Sequence, residues 1–397
     1  MAQDLNRQKR ERGTAKPSEV QVFTEIDAIS AEDWDACAGV ANPFLRHAFL
    51  HALEASGSAT AKHGWLPQHL AVLDEGSVVG VAPVYVKTHS YGEYVFDFSW
   101  ANAYARGGRA YYPKLQCCVP FTPVTGPRLL VRPDADEERV RSVLLAAMIE
   151  LTERHDLSSA HVTFLEESEW ALGESHGLLR RCGIQYHWEN RGYDCFDDFL
   201  GALSSRKRKA IKRERRSAAQ APVEIRTLRG DEITPEIWER FHDFYLSTID
   251  RKWSSPYLTR DFFLRIGESM PDNIALIMAF DDDEPVAGAL NFVGDDTLYG
   301  RYWGCARRYK ELHFECCYYR AIEFAIDNGL SRIEAGAQGE HKIQRGYLPN
   351  YTHSLHWISD PRFREAIADF LVRERSGLTS EMEYLLQRSP FRAIAAP

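Results

Sequence analysis

The sequence predicts an α/β (α+β) protein of two lobes, each with a mixed, mostly antiparallel sheet flanked by helices. Two observations lead to this prediction. At 397 residues the chain is too long for one ordinary core, and the order of predicted strands and helices in the first half recurs in the second. A hydrophobic fraction of 44 % and an aromatic fraction of 12 % supply the apolar surface that two cores need.

The first lobe is predicted over residues 19–192, after a charged segment at 1–18 that reads as a disordered tail. It opens with an alternating strand near Val20 and a helix that Ser30 caps. A hairpin around the turn "DEGS" comes next, followed by an aromatic stretch, 90–131, that is poor in helical pattern. The lobe ends with a helix at 136–156, a strand, a helix closing on Gly183 and a last strand.

The second lobe is predicted over residues 221–375. Its order is a strand, two helices, a three-stranded meander, an amphipathic helix that ends at Gly329, two strands and a final helix. Residues 376–397 are expected to form a C-terminal tail. The sequence shows no short-period repeat, so the repetition is one of whole lobes.

A basic segment at 193–220 is predicted to open the second lobe as one helix. From Arg206 to Arg216 it holds eight Lys or Arg and one acid, Glu214, although the chain carries a net charge of −9. Three interpretations are open: a solvated linker helix, a nucleic-acid-binding surface, or a site for substrate phosphates. Base-stacking aromatic residues are missing from the segment and the chain is acidic overall, which argues against DNA binding.

Composition also limits the setting of the protein. No apolar run approaches the roughly 18–20 residues of a membrane span, and the first residues lack the apolar segment of a signal peptide. The eight cysteines are never in CxxC spacing, which indicates reduced thiols rather than disulfides or a zinc site. We therefore expect a cytoplasmic protein without a metal. The sequence leaves its oligomeric state open.

Long motifs in both halves carry a family resemblance. They include "PVYVKTHSYGEYVFDFSWANAY", "YYPKLQCCVPFTPVTGPRLL", "SSRKRKAIKRERR", "GRYWGCARRYKELHFECCYYRAIEFAI" and "EAGAQGEHKIQRGYLP". From about Pro43 to about Leu371 the chain resembles a bacterial family of predicted N-acyltransferases, or peptidoglycan biosynthesis/recognition proteins, related to the Fem-type transferases. The resemblance implies tandem GNAT-like lobes. It also implies transfer of an acyl or aminoacyl group to an amine acceptor, with acyl-CoA or aminoacyl-tRNA as the donor.

The segment "EAGAQGEHKIQRGYLP" is the densest polar stretch of the second lobe, and its small residues permit close approach of a ligand. The resemblance implies that Lys342 stabilises charge at the reacting carbonyl, with Arg345 as a rival. It also places Glu334 at a strand end where GNAT-like sites hold their chemistry. An alternative is a surface loop with local ion pairs. The predicted catalytic residues are Glu334, His341, Lys342 and Arg345, and Tyr302 and Gln338 are predicted to bind substrate.

Two further groups of residues are predicted to bind ligands. The loop-like stretch "YYPKLQCCVPFTPVTGPR" and its surroundings suggest an acceptor groove between the lobes, or else an aromatic interface. Its candidates are Trp100, Tyr112, Lys114, Thr122, Thr125 and Arg128. The predicted phosphate-binding residues are Arg206, Lys209 and Arg213, which share one helix face, and Arg307 and Arg308.

The segment of Arg307 and Arg308 corresponds to the junction at which GNAT enzymes cradle the pyrophosphate of coenzyme A. The usual Gly-rich turn is absent and only Gly304 remains, which favours aminoacyl-tRNA or an unusual acyl carrier as the donor. Two other classes of function stay open. One is a non-catalytic protein that binds a phosphorylated ligand, and the other is an RNA-binding protein that uses the 206–216 helix.

Overall fold

A computed structural model describes residues 19–251, 256–337 and 339–392. The predicted tail at 1–18 and the candidate Gln338 therefore lie outside the described residues. The strands are β1 (Glu19–Phe23), β2 (Trp65–Pro67), β3 (His69–Asp74), β4 (Ser77–Ala82), β5 (Val84–Lys87), β6 (Lys114–Cys117), β7 (Leu130–Val131), β8 (Ser159–Leu165), β9 (Leu179–Glu189), β10 (Glu224–Leu228), β11 (Ile274–Asp281), β12 (Glu284–Val293), β13 (Thr297–Cys305), β14 (Arg332–Glu334) and β15 (Leu348–Ile358).

The helices lie between these strands and on both sides of the sheets. A π-helical turn, Glu315–Tyr319, joins α10 to α11, and a 3-10 helix, Glu340–Arg345, precedes β15; we call the latter the 340–345 turn. The α-helices are α1 (Ala31–Ala38), α2 (His47–Ala55), α3 (Phe98–Arg106), α4 (Glu137–Arg154), α5 (Glu167–Ser175), α6 (Phe196–Ala202), α7 (Ser205–Ala218), α8 (Pro235–Arg251), α9 (Arg260–Ser269), α10 (Leu312–Phe314), α11 (Arg320–Asp327) and α12 (Pro361–Gln387).

One sheet of eleven strands crosses the molecule, in the order β10-β11-β12-β13-β14-β9-β15-β8-β6-β5-β2. A smaller sheet of four strands, β1-β3-β4-β7, covers part of the first lobe. Neighbouring strands are antiparallel except in two pairs, β6 with β8 and β13 with β14. Each lobe thus has one parallel pair. The predicted fold class, an α/β chain with mostly antiparallel sheets flanked by helices, is confirmed.

Strands cross over between the halves of the chain. β9 precedes residue 192, yet it lies between β14 and β15, which belong to the second half. β15 in turn pairs with β8 of the first half. The lobes are therefore joined through backbone hydrogen bonds, and the boundary at residue 192 stays a prediction.

The lobes also share a hydrophobic core. The ring of Phe44, just before α2, lies 4.7 Å from that of Phe292 on β12, and Phe49 of α2 lies 5.7 Å from Phe262 of α9. All four rings are buried. Buried aromatic pairs of this kind add about 0.5–1.5 kcal/mol each beyond the burial of their area, so the two lobes form a firm unit around the sheet.

Two predicted elements differ in the structure. The aromatic stretch at 90–131 contains α3, whose buried Trp100 and Tyr104 pack under α12. The predicted helix closing on Gly183 is wrong, because α5 ends at Ser175 and the chain is in β9 from Leu179 onward. Pairing with β15 outweighs the local helical pattern there.

The predicted single basic helix is also wrong, since it is broken into α6 and α7. Leu203, between them, is extended and forms an isolated bridge with Phe391. The amide of Ser204 donates to the carbonyl of Pro390 at 2.9 Å. Part of the predicted C-terminal tail thus has a structural role, because α12 continues to Gln387 and the residues after it hold this break.

None of the described helices is both long enough and apolar enough to cross a membrane.

Candidate functional site

The parallel pair of the second lobe forms the centre of the candidate site. β13 and β14 pair only as far as Tyr299 and Glu334. Just beyond that point a bulge interrupts the ladder between β12 and β13: Asn291 pairs with Gly300 and Leu290 with Tyr302, which leaves Arg301 as the extra residue. Bulges of this kind redirect side chains beside functional sites.

Arg301 and Glu334 form a buried ion pair at this junction. Arg301 Nη2 lies 3.3 Å from Glu334 Oε2, and both side chains are 2 % exposed. The first-lobe loop 118–128, the crossing loop, packs against them: Arg301 Nε donates to Thr122 Oγ1 at 2.6 Å, and the Thr125 hydroxyl donates to Glu334. Tyr302 Oη donates to the carbonyl of Phe121 at 2.9 Å. The predicted residues Thr122, Thr125, Tyr302 and Glu334 therefore meet at the boundary of the lobes.

A cavity of about 410 Å³ opens next to Glu334, between the crossing loop and β9, β14 and β15. His187 also lines it, with Nε2 3.9 Å from Glu334 Oε1 and 3.2 Å from Gln185 Oε1. Burial lowers the pKa of His187, against the opposing effect of Glu334, so its imidazole is neutral near pH 7. The charged residues that line the cavity are mostly acidic: Glu166, Glu167, Asp296 and Glu334, with Arg332 as the cation.

A smaller cavity of about 100 Å³ lies where β12 and β13 meet the π-helical turn. Its polar lining includes Asn291, Arg301 and His313, and Ala335, the residue after β14, also lines it. Tyr302, predicted to bind substrate, contributes to the same wall. This volume suits a group of a few heavy atoms.

Lys342 lies on the 340–345 turn, behind Ala335 of the smaller cavity's wall, and does not itself line that cavity. Its Nζ donates to the carbonyls of Ala335 at 2.6 Å and Gly336 at 3.0 Å. Within the described residues, no carboxylate forms an ion pair with it, although it is 3 % exposed. Burial, and then the nearby Arg301, lower the pKa of Lys342 to about 7. An ammonium has three donors, so one remains for a ligand.

Two of the predicted catalytic residues occupy the periphery. Arg345 points away from the cavities: its Nη2 donates to Glu214 Oε2 at 2.9 Å, and its guanidinium lies 3.4 Å from the centre of the Phe314 ring. His341 is exposed, and its Nε2 lies 3.0 Å from Tyr318 Oη. Burial, with Arg345 and Lys342, lowers the pKa of His341. The structure thus brings Glu334 and Lys342 to the β13–β14 junction, whereas Arg345 lies against Glu214 and Phe314, outside both cavities.

Lys114 belongs to a separate buried cluster in the first lobe. Its Nζ lies 2.6 Å from Glu93 Oε2 and 2.5 Å from Asp97 Oδ2, with all three residues at most 3 % exposed. Burial alone would lower the pKa of Lys114, but the two carboxylates outweigh it and raise the pKa above its ordinary value. Tyr112 hydrogen-bonds Ser90 in the same cluster. These residues are not brought to either cavity of the second lobe.

The other first-lobe candidates hold the scaffold. Trp100 packs edge-on against His356, with ring centres 4.9 Å apart. Arg128 is fully buried and donates to the carbonyls of Val124, Gly126 and Pro127. It therefore fixes the shape of the crossing loop that presents Thr122 and Thr125.

The predicted phosphate-binding residues fall into two places. Lys209 and Arg213 of α7 line an open groove, and Arg206 is exposed on the same helix. Arg307 instead pairs with Asp281 at 3.2 Å, which leaves Arg308 exposed beside it. A Cβ at Gly304 would lie 2.0 Å from the carbonyl oxygen of Phe244, so packing against α8 explains this glycine.

Arg301, His187 and Asn291 escaped the sequence prediction. Arg301 had a usable signal, because a charged residue in the strand "TLYGRYWGC" is unusual for a buried strand. His187 lacked one, since it comes to Glu334 only through the placement of β9 beside β14. In the parts of the chain that the structure describes, no group of three or more His, Cys, Asp or Glu side chains is placed to hold a metal ion.

Comparison with known proteins adds the family and the fold. The FemAB-like family model, described as peptidoglycan biosynthesis/recognition, matches residues 25–393. No curated protein matches the chain significantly.

Solved structures cover most of the chain at low identity. A crystal structure of FemX has a TM-score of 0.54 and 11 % identity, and it covers 86 % of this chain and 98 % of its own. The C-terminal domain of a putative lysylphosphatidylglycerol synthetase from Agrobacterium fabrum has a TM-score of 0.52 and 8 % identity, and the match covers 86 % of this chain and 95 % of that one. L-PGS from Bacillus licheniformis has a TM-score of 0.50 and 9 % identity, and the match covers 84 % of this chain and 98 % of that one. These likenesses show the fold, and the predicted tandem GNAT-like architecture is confirmed.

Proposed function

The chain belongs to the FemAB-like family, and from this membership we propose that it transfers an acyl or aminoacyl group to an amine acceptor, in a reaction related to the cell wall. The observation that carries the proposal is Lys342. A buried ammonium without a carboxylate partner is costly to maintain, and such groups concentrate where chemistry uses them.

In the proposed reaction the acceptor amine attacks the acyl carbonyl carbon. The ammonium form of the acceptor first releases one proton to solvent; the neutral amine then forms the C–N bond, the bond between the carbonyl carbon and the donor sulfur or oxygen breaks, and the acylated nitrogen releases a second proton. The third N–H of Lys342 is directed to the carbonyl oxygen, where negative charge develops. Because burial lowers the pKa of Lys342 to about 7, this group can also return a proton to the departing sulfur or oxygen.

The larger cavity suits the acceptor. Its carboxylates favour a cationic ligand, as an amine is before it reacts. Glu334 orients the amine, and the neutral imidazole of His187 is the group in the cavity best able to accept its proton. The carboxylate of Glu334 is already bound by Arg301 and Thr125, which fixes its orientation in the cavity.

Two donor classes remain for the proposal, acyl-CoA and aminoacyl-tRNA. Arg307 is engaged by Asp281 and Gly304 packs against α8, so the side-chain cations on α7 are the better partners for the phosphates of the donor. Arg206, Lys209 and Arg213 are exposed there. This arrangement favours a polyanionic donor that reaches from α7 to the smaller cavity, as an aminoacyl-tRNA does.

The test is a donor and acceptor screen with the full chain. Acetyl-CoA and charged tRNAs are each incubated with amine-bearing peptidoglycan precursors, and mass spectrometry detects the acylated acceptor. We expect one donor to be consumed with a matching mass gain on the acceptor. Binding of a precursor without consumption of any donor would support the binding-protein alternative and overturn the transferase.

A paired variant separates the donors. Lys209→Ala with Arg213→Ala should raise the KM for aminoacyl-tRNA and weaken its dependence on salt, while leaving kcat unchanged. Glu32→Ala and Glu138→Ala, exposed positions on α1 and α4, provide a control of equal size. If tRNA binds through α7 but no amine is acylated, the result supports the alternative of an RNA-binding protein.

A further inference from the structure

Glu214 is the one acid among the eight cations of the basic run, and it points inward from α7. Its Oε2 accepts a hydrogen bond from Arg345 Nη2 at 2.9 Å and another from the hydroxyl of Tyr319. Arg345 is 6 % exposed and ends the 340–345 turn. The contact therefore connects the basic helix to the turn that carries Lys342.

Arg345 braces the turn from both sides. Its Nη1 donates to the carbonyl of His341 at 3.0 Å, four residues earlier in the same turn. Its guanidinium plane also lies over the ring of Phe314, at the end of α10. Removing the carboxylate partner would leave this buried guanidinium uncompensated, an arrangement that structures avoid by moving the side chain into water.

We propose that Glu214 is a positioning residue of the transfer site. By holding Arg345, it fixes the 340–345 turn and so keeps the Nζ of Lys342 against the carbonyls of Ala335 and Gly336. The inference rests on the proposed function of Lys342. It gives the basic run a second role, because the helix that offers its exposed cations to phosphates also supports the turn of the site.

Arg215, the next residue on α7, provides a matched control. It pairs with Glu315 at 2.9 Å and with Glu323 at 2.6 Å, so it attaches the same helix to the π-helical turn and α11. None of its ion pairs involves the 340–345 turn. A change at Arg215 loosens α7 without releasing Arg345, whereas a change at Glu214 releases Arg345.

The charge state of Lys342 reports on its position. The groups that act on it are Arg301 of β13, which lowers its pKa after burial, and Cys317 of the π-helical turn, which opposes this. On its own turn His341 and Arg345 are the neighbouring ionisable groups, and Glu340 faces outward to Arg388. If the turn loosens, water reaches Lys342 and its pKa rises toward the ordinary value.

The experiment measures how the labelling of Lys342 by acetic anhydride depends on pH, with mass spectrometry on the full chain. Glu214→Gln should shift the apparent pKa of Lys342 upward by about one unit or more. Tyr319→Phe, which removes a hydrogen bond but no charge, should shift it less, and Glu214→Asp should partly restore the wild-type value. Arg215→Gln should leave it in place.

Equal shifts in Glu214→Gln and Arg215→Gln, or no shift in Glu214→Gln, would overturn the proposal. If Glu214→Gln does not fold, Tyr319→Phe is compared with Arg215→Gln instead. A larger pKa shift of Lys342 in Tyr319→Phe supports the proposal, and equal shifts or no shift overturn it. The labelling needs neither donor nor acceptor. A failed transferase therefore shows as unconsumed donor in the wild type, separately from the labelling result.

Discussion

Lys114 of the first lobe and Lys342 of the second are both buried beside the parallel strand pair of their lobe, but their surroundings are opposite. Lys114 lies between two carboxylates, which raise its pKa above the ordinary value. Lys342 donates to backbone carbonyls, and burial lowers its pKa to about 7. Of the two, Lys342 binds the carbonyl of Ala335, a residue that lines the smaller cavity. The difference shows that carboxylate partners decide in which direction the surroundings shift the pKa of a buried lysine.

The largest expected effect is on stability, in the first lobe. Lys114→Met leaves Glu93 and Asp97 buried without their cation, so we expect a loss of about 3–5 kcal/mol in the free energy of unfolding. Urea denaturation measures it. Lys342→Met removes two hydrogen bonds but also a charge that is costly to bury, so it should not lower the same quantity by more than about 1 kcal/mol. Similar losses of unfolding free energy in Lys114→Met and Lys342→Met would mean that the two lysines do not differ in how their charge is compensated.

The next effect is on catalysis, in the second lobe. Glu334→Gln keeps the shape of the side chain but weakens its hold on Arg301 and on the acceptor amine. We expect the transfer rate to fall by about 100-fold, as measured under saturating donor. Glu138→Gln on the exposed face of α4 is the control. A wild-type transfer rate in Glu334→Gln would mean that the Glu334 carboxylate does not act in the transfer.

A smaller effect appears in the pH dependence of stability. The folded pKa of Lys342 lies below its unfolded value of 10.5, so between these values the unfolded state binds more protons and stability rises with pH. The slope from this residue is up to about 1.4 kcal/mol per pH unit between about pH 7.5 and 10. Lys87, whose pKa burial lowers to about 7, adds a slope of the same sign.

Denaturation midpoints at several pH values test this expectation. Lys342→Met should remove its share of the slope and leave that of Lys87. Glu93, whose pKa burial raises to about 7, contributes a slope of the opposite sign, which Lys342→Met leaves unchanged. An identical slope in wild type and Lys342→Met would mean that Lys342 has an ordinary pKa.

Much of the fold followed from the sequence because turns and hydrophobic periods are local. The cap at Ser30, the hairpin at "DEGS" and the meander of the second lobe were predicted from adjacent residues. The strand β9 was misjudged over its first part, because its pairing with β15 joins residues far apart in the chain. The split of the basic helix has the same cause, since Phe391 fixes Leu203.

The candidate site was predictable to a similar extent. Glu334 and Lys342 lie in one polar segment, and the family resemblance drew attention to them. Lys114 looked like a groove residue because its partners, Glu93 and Asp97, reach it only after the intervening chain has folded back. The partnership of Arg345 with Glu214, 131 residues away, was likewise hidden.

A single-turnover assay asks directly whether the proposed transfer depends on the uncompensated Lys342. Wild type, Lys342→Met and the exposed first-lobe control Lys62→Met are compared at one pH with the donor that the screen identifies. We predict that Lys342→Met transfers about 100- to 1,000-fold more slowly, with no large loss in the free energy of unfolding, while Lys62→Met matches the wild type. Transfer by Lys342→Met at the wild-type rate would show that Lys342 does not stabilise the reacting carbonyl.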